Sequence, residues 1–377
     1  MMSDVFVYVQ HLLGIGHVRR MALINQAMRD NGLSITVASG GVPDDGIDFA
    51  ADRVVQLSPC KTADSNFSGL EDPNGNLLGD EWKERRKTEL LAAFKASAPK
   101  LVLIEMFPFG RRAFRFELIP LLEAAKKAGI PIICSVRDLL VRKKDPAKTQ
   151  WMADIARKYL DAVLVHGDPQ LFGFDRSFAQ ADQIPDLIVH TGYVAPAMKT
   201  GATVSREGVL VSAGGGAVGA ELIELAINAR SHSSKFGQSR WDIVTGPHFP
   251  AARFDAVARN LPEGITLHRF LPDFRERMAG AAVSVSQAGY NTLMDVLATR
   301  TPAVMVPFAE GGESEQTERA EILSKEGVIS LLDLDGLSAQ SLAKQIDRAS
   351  QPANVKIALD GAQKTASIVA GMIKGQV

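Results

Sequence analysis

At 377 residues the chain exceeds the size of one hydrophobic core and fits two domains of roughly 150 to 200 residues each. A composition that is 46% hydrophobic and 23% charged excludes a disordered chain, and 42 basic against 43 acidic side chains, formal charge −1, argue against a non-specific nucleic-acid binder. Two cysteines, Cys60 and Cys134, are too few for a disulfide framework or a cysteine-based zinc site.

In chain order, short β-rich runs alternate with amphipathic segments. The opening MMSDVFVYVQ has neither a basic stretch nor a small-residue cleavage site, so it reads as a strand over 5–10 and not as a signal peptide. Helix 17–31, strand 33–38, helix 81–97, strand 100–105, helix 114–128, strand 130–135, helix 148–159 and strand 161–166 follow. This alternation predicts a parallel sheet covered by helices on both faces. Residues 57–80, with Pro59, Pro73 and several Gly and Asn, form a long irregular stretch of the kind that serves as a functional loop or lid. Residues 191–208 carry Gly, Pro, Thr and Ser without a sustained period and read as a linker.

The pattern then repeats: strand 208–212, helix 218–230, strands 241–245, 264–268 and 281–285, helix 290–298, strand 302–306, helix 315–325 and strand 327–332. Domains are expected at 1–195 and 196–353, with 354–377 a C-terminal helix able to pack back across the linker. No run approaches ~18 uninterrupted apolar residues. The expected location is cytoplasmic, with peripheral membrane contact left open.

Three places carry chemistry. The first strand runs into HLLGIGHVRR, where Gly14 and Gly16 allow close approach to backbone N–H groups and His17 stands in a helix's first turn. A helix N-terminus disfavours imidazolium, so a neutral His17 can accept a proton from a hydroxyl. Arg19 and Arg20 read as a solvated helix face. The second place is SAGGGAVGAELIELA, a Gly-rich strand-to-helix turn in which Gly214 and Gly215 can bring backbone close to a ligand, without the Lys of a Walker loop.

The third, residues 284–323, is the most informative. A strand ends at Ser286, Gly289 opens a helix bearing Asn291, Thr292 and Asp295, and a later helix begins with Glu315 and Gln316. A helix N-terminus and the Thr292 hydroxyl suit a diphosphate, Asp295 can accept from ribose hydroxyls, and Glu315 and Gln316 can grip sugar hydroxyls.

This arrangement resembles glycosyltransferases of the MurG and UDP-glycosyltransferase type, along nearly the full length and most specifically over 264–325. The resemblance implies an α/β chain of GT-B fold, two doubly wound Rossmann-like domains facing across a cleft, with acceptor in the N-terminal and nucleotide-sugar in the C-terminal one. It implies His17 as base or acceptor ligand, and Phe270 and Leu271 of HRFLPD as the contacts to the nucleotide base. No cofactor is implied beyond a nucleotide-diphosphate sugar as co-substrate, UDP-linked by the resemblance, and no metal. Asp295 is shorter than the Glu of the family, Ile15 interrupts the glycine run before the histidine, and Arg319 replaces a common Asn.

In IEMFPFGRR, Glu105 ends a strand ahead of Arg111 and Arg112. The carboxylate can orient or deprotonate an acceptor, or pair structurally with an arginine, and Arg111 can hold a phosphate or carboxylate. The basic stretch 135–148 reads as a solvated face, with an anionic acceptor or membrane surface as the alternative. The expected reaction is inverting, metal-independent sugar transfer to the hydroxyl of a small-molecule, glycan or lipid-linked acceptor. A nucleotide-sugar hydrolase on the same fold and a non-catalytic nucleotide-sugar-binding module are the alternatives.

Overall fold

A computed structural model describes all residues except 1, 13–15, 44–45, 63–68, 143–144, 197–204, 215–218, 247–248, 307–314, 333–336 and 376–377. The chain forms two compact units, Met1–Ala195 with Ile357–Val377, and Pro196–Lys356.

The first unit contains β1 (Val5–Val9), α1 (Gly16–Asp30), β2 (Ile35–Ser39), β3 (Arg53–Gln56), a hairpin of β4 (Lys61–Thr62) and β5 (Leu70–Glu71), and α2 (Asp80–Ser97). It continues with β6 (Leu101–Glu105), α3 (Arg115–Lys127), β7 (Ile132–Arg137), α4 (Pro146–Tyr159), β8 (Ala162–His166) and β9 (Ile188–His190). Seven strands pair in the order β3-β2-β1-β6-β7-β8-β9, every pair parallel. Every residue of β1 is buried, because both faces are covered: Val5, Val7 and Val9 join the core with Met21 and Ile24 of α1, while Phe6 and Tyr8 join Phe94 of α2 and Leu118 of α3. β3 and β9 escape sequence reading because they are sheet edges, exposed or half-buried, and so lack a continuous apolar run.

The second unit holds β10 (Val209–Ser212), α5 (Ala220–Ala229), β11 (Trp241–Val244), α6 (Ala251–Arg259), β12 (Ile265–His268), α7 (Phe274–Gly280) and β13 (Val283–Gln287). After these come α8 (Tyr290–Thr299), β14 (Ala303–Val306), α9 (Glu315–Lys325), β15 (Ser330–Leu331) and α10 (Ala339–Arg348). Its six-stranded parallel sheet has the order β12-β11-β10-β13-β14-β15. Both units are therefore Rossmann-like. Helix α10, missed in the sequence, has a reciprocal Ser338–Ser341 capping box and buries Leu342, Ala343 and Ile346 on one face.

The final helix α11 (Gly361–Ile373) packs on α1 in the first unit. It starts seven residues later than the expected 354. Tyr193 N donates to Ala358 O and Val194 bridges Asp360, so that stretch runs extended before the helix can begin. Gly361 lies so close to the 192–193 backbone that a Cβ there would meet Gly192 O at 2.2 Å. Among the described residues no helix is long and apolar enough to cross a membrane.

In each sheet the strand order reverses once, between β1 and β6 and between β10 and β13. Ligands of open α/β sheets gather outside the carboxyl ends of the strands at such a reversal. Beside the first reversal, buried Arg86 of α2 donates from Nη1 to Gly40 O and Ser58 O, from Nη2 to Gln10 Oε1, and from Nε to Glu117 of α3. One guanidinium thus ties together the segments that follow β1, β2 and β3.

Candidate active site

At the β1/β6 reversal the structure brings His17, Arg20, Glu105 and Arg111 together. Glu105 is the last residue of β6 and is fully buried. Its Oε1 accepts from His17 Nδ1 at 2.6 Å and from Arg20 Nη2 at 2.6 Å, while Arg111 Nη2 lies 3.6 Å from Oε2. His17 and Arg20 are three apart on α1 and so share the face turned to the sheet. Arg20 is therefore not on a solvated face: it is only 2% exposed, whereas Arg19 beside it is exposed. The spacing from His17 to Arg20 was the available signal.

A carboxylate is an acceptor only, so His17 carries its proton on Nδ1 and presents the Nε2 lone pair. The side chain of His17 retains 21% exposure, enough for Nε2 to meet a ligand. Burial pulls His17 down to about 4 against the pull of Glu105, and the Arg111 and Arg20 guanidiniums add to the depression. Burial would raise the Glu105 carboxyl, but His17, Arg111 and Arg20 outweigh it and hold it at about 2. At neutral pH the pair is thus a neutral imidazole on an ionised carboxylate.

The loop after β6 is strained to place these groups. Met106 (φ 68) and Arg111 (φ 56) both occupy the left-handed region that non-glycine residues avoid. Of the arginines after Glu105, Arg111 faces it, while Arg112 lies over the Trp151 ring at 5.2 Å.

At the β10/β13 reversal two helix N-termini lack side-chain caps among the described residues. Helix α5 is preceded by Gly219 and α8 by Gly289. Their leading N–H groups are the orphan donors that bind anions at helix starts. Gly219 sits at φ 118, and a Cβ there would lie 2.9 Å from Ala213 Cβ and 3.0 Å from Gln287 Nε2, so only glycine fits. Among the described residues nothing lies within 4 Å of a Cβ built on Gly289 or on Gly214.

Among the described residues the buried Ser286 hydroxyl has no partner, and on α8 Asp295 lies three residues after Thr292 and four after Asn291, so that it neighbours both. Asp295 is 9% exposed and accepts from Arg275 Nε of α7 at 3.0 Å. Gln316, in the first turn of α9, has a buried Oε1 that meets no partner among the described residues. Phe270 is 58% exposed just beyond β12, and Leu271 is buried beneath it in sequence. Gln287, at the carboxyl end of β13 against Gly219, was missed, although its place as a polar strand-end residue marks it. Gly14, Gly215 and the loop 309–314 lie outside the described residues, as does the side chain of Glu315, while Gly16 begins α1.

A cavity of about 590 Å³ in the second unit, lined by Arg206, Arg240, Asp242 and Arg277, opens at the amino ends of the strands, the wrong edge for this site.

Residues 210–372 match the glycosyltransferase family 28 C-terminal domain. Over 233 residues the chain is 23% identical to the UDP-N-acetylglucosamine–N-acetylmuramyl-(pentapeptide) pyrophosphoryl-undecaprenol N-acetylglucosamine transferase of Bacillus cytotoxicus, covering 60% of this chain and 61% of that protein. Among the curated relatives it matches, the chain spans from 23% to 61% of their length in two representative cases. The crystal structure of CalG4, the calicheamicin glycosyltransferase, superposes with a TM-score of 0.61 at 17% identity, covering 100% of this chain and 97% of that one. Acinetobacter baumannii MurG does so with a TM-score of 0.57 at 13% identity, covering 98% and 100%. Through the family match over 210–372 and a fold shared along its whole length, the chain is similar to GT-B proteins of the MurG and UDP-glycosyltransferase type.

Proposed function

We propose that the chain is a glycosyltransferase that moves a sugar from a nucleotide-diphosphate donor to an acceptor hydroxyl, with inversion and without a metal. The observation that carries this reading is the 2.6 Å contact between His17 Nδ1 and the buried Glu105 carboxylate at the β1/β6 reversal. It sets the ring proton on Nδ1, and with burial keeping the ring neutral Nε2 is available to take the acceptor proton as the hydroxyl attacks the anomeric carbon. Glu105, having no exposure, orients that base and does not itself touch substrate.

In the second unit the donor's diphosphate rests on the starts of α5 and α8, with Gly214, Gly289, Ser286, Asn291 and Thr292 around it, and Gly215 of the Gly-rich turn is a further candidate from the sequence. The N–H groups there meet the charge that develops on the departing nucleoside diphosphate. Asp295 takes the ribose, Glu315 and Gln316 the sugar, and Phe270 with Leu271 the base. UDP-N-acetylglucosamine is the donor named for the Bacillus cytotoxicus relative, which supports a UDP-sugar here, and its acceptor is lipid-linked. The acceptor classes for this chain remain small molecule, glycan or lipid-linked carrier, with Arg111 facing it. Two free, buried thiols suit a reducing compartment such as the cytoplasm.

The test is UDP release from a panel of UDP-sugars with and without acceptors, run beside thermal shifts with UDP. Acceptor-dependent release that His17→Ala abolishes, with UDP binding intact, supports transfer. Release of free sugar independent of acceptor assigns a hydrolase, and binding without turnover in any combination assigns a non-catalytic module.

A further inference from the structure

Glu105 receives more positive charge than it can neutralise. Its Oε1 is shared by His17 Nδ1 and Arg20 Nη2, each at 2.6 Å, and its Oε2 faces Arg111 Nη2 at 3.6 Å. Arg20 is 2% exposed and Glu105 fully buried, so water does little to screen their attraction. A histidine that meets a carboxylate alone gains a reason to become imidazolium. Here a permanently charged guanidinium already occupies the same carboxylate oxygen.

The other groups around the pair do not change this balance. On β7, Cys134 is a buried thiol whose ionisation burial suppresses. On β8, His166 is a fully buried ring held between Ser135 Oγ and Thr191 Oγ1 at 2.7 Å each, and burial keeps it neutral. Arg137, two residues past Ser135 on β7 and register partner of His166, adds positive charge at the same strand ends. Arg19, next to Arg20 on α1, is exposed. Beyond the same strand ends lie two buried carboxylates, Asp138, which accepts from Leu139 N, and Asp168, which accepts from Gln170 N and Ala358 N.

We propose that Arg20 is a positioning residue that holds the His17–Glu105 pair as neutral imidazole and ionised carboxylate, so that the ring is ready to accept a proton. It does so by occupying the carboxylate oxygen that would otherwise draw a proton onto the ring. Without the guanidinium the ring takes up its proton at a higher pH than in wild type, and once it does so Nε2 is no longer a free acceptor. The spacing of Arg20 one turn after His17 is therefore part of the base.

The proposal rests on the reading of His17 as the base only for its kinetic arm. The direct arm is NMR titration of ¹⁵N-histidine-labelled protein without substrate, with His17 assigned by loss of its signal in His17→Gln. In wild type, His17 stays neutral from pH 8 to below 6. In Arg20→Gln the midpoint rises by at least about one pH unit, and in Arg20→Lys it stays near wild type because the charge remains. The acid limb of kcat/KM moves in step.

An Arg20→Gln protein that is folded by circular dichroism yet titrates like wild type overturns the proposal, as does an Arg20→Lys midpoint displaced as far as that of Arg20→Gln. Should Arg20→Gln not fold, the wild type still decides: a His17 midpoint at or above 6.5 overturns it. A shifted midpoint in a chain with no transferase activity leaves Arg20's role standing and removes only the proposed reaction.

Discussion

Removing either member of the His17–Glu105 pair separates catalysis from stability, because the two side chains stand in different surroundings. In His17→Ala, Glu105 keeps Arg20 at 2.6 Å and Arg111 at 3.6 Å, so no charge is left without a partner. The loss is one hydrogen bond to a carboxylate from a ring that is 21% exposed, about 1.5–3 kcal/mol. The loss of a general base is about 10²–10⁴ in rate, roughly 3–5.5 kcal/mol of barrier at 1.36 kcal/mol per decade.

In Glu105→Gln the order of effects reverses. Arg20 at 2% exposure and Arg111 at 12% lose their counter-charge, which costs about 3–5 kcal/mol in folding. The carboxyl's descent from 4.5 to about 2 gives a consistent figure of roughly 3 kcal/mol. The assay pairs initial rates of UDP release with urea denaturation and UDP titration calorimetry. His17→Ala is expected to lose at least about a hundredfold in kcat with UDP affinity unchanged, and Glu105→Gln to lose activity and stability together. Turnover of His17→Ala within tenfold of wild type, or a Glu105→Gln protein as stable as wild type, refutes the reasoning.

Other perturbations follow from the same geometry. Burial lowers His17, His166 and His190, so the unfolded chain binds their protons first; stability is full above pH 6.5 and falls as the pH drops below it, for His17 through the interval from 6.5 to about 4. Glu105, depressed in the fold, adds a further loss as pH falls from 4.5 towards 2; urea midpoints that stay flat between pH 7 and 5 contradict this. Gly219→Ala meets φ 118 and two contacts at or below 3.0 Å, and should cost about 1–3 kcal/mol in urea melts, whereas wild-type stability would show that the turn relaxes freely. Phe270→Ser, at a side chain 58% exposed, should leave the melting temperature unchanged and weaken UDP binding by about tenfold, roughly 1.4 kcal/mol; unchanged UDP affinity places the base elsewhere. Asp295→Asn should raise the donor KM by about tenfold with kcat retained, and a fall in kcat alone would move Asp295 out of the ribose role.

Much was legible from residue order alone. The alternation of apolar strands with amphipathic helices determined two Rossmann-like units, because central parallel strands are buried on both faces and must read as continuous apolar runs. The glycines after β10 and before α8 marked the turns that leave helix N-termini open, since such turns need missing side chains whatever packs around them. Edge strands β3 and β9 and the short helices α6 and α7 were silent, for an element with little burial leaves little periodic signal.

Only the tertiary structure decided which charges meet. His17 and Glu105 are 88 residues apart in sequence, and it is the reversal of strand order between β1 and β6 that sets their side chains 2.6 Å apart. The same reversal turned Arg20 from an apparent surface charge into a buried partner of that carboxylate. In the second unit the packing of α7 beside α8 gave Asp295 an arginine, and in the first the pairing of residues 193–194 with 358–360 brought the last helix back onto α1. Local propensity and periodicity record what a segment buries, while electrostatic partnership depends on distances that exist only once the sheets have formed.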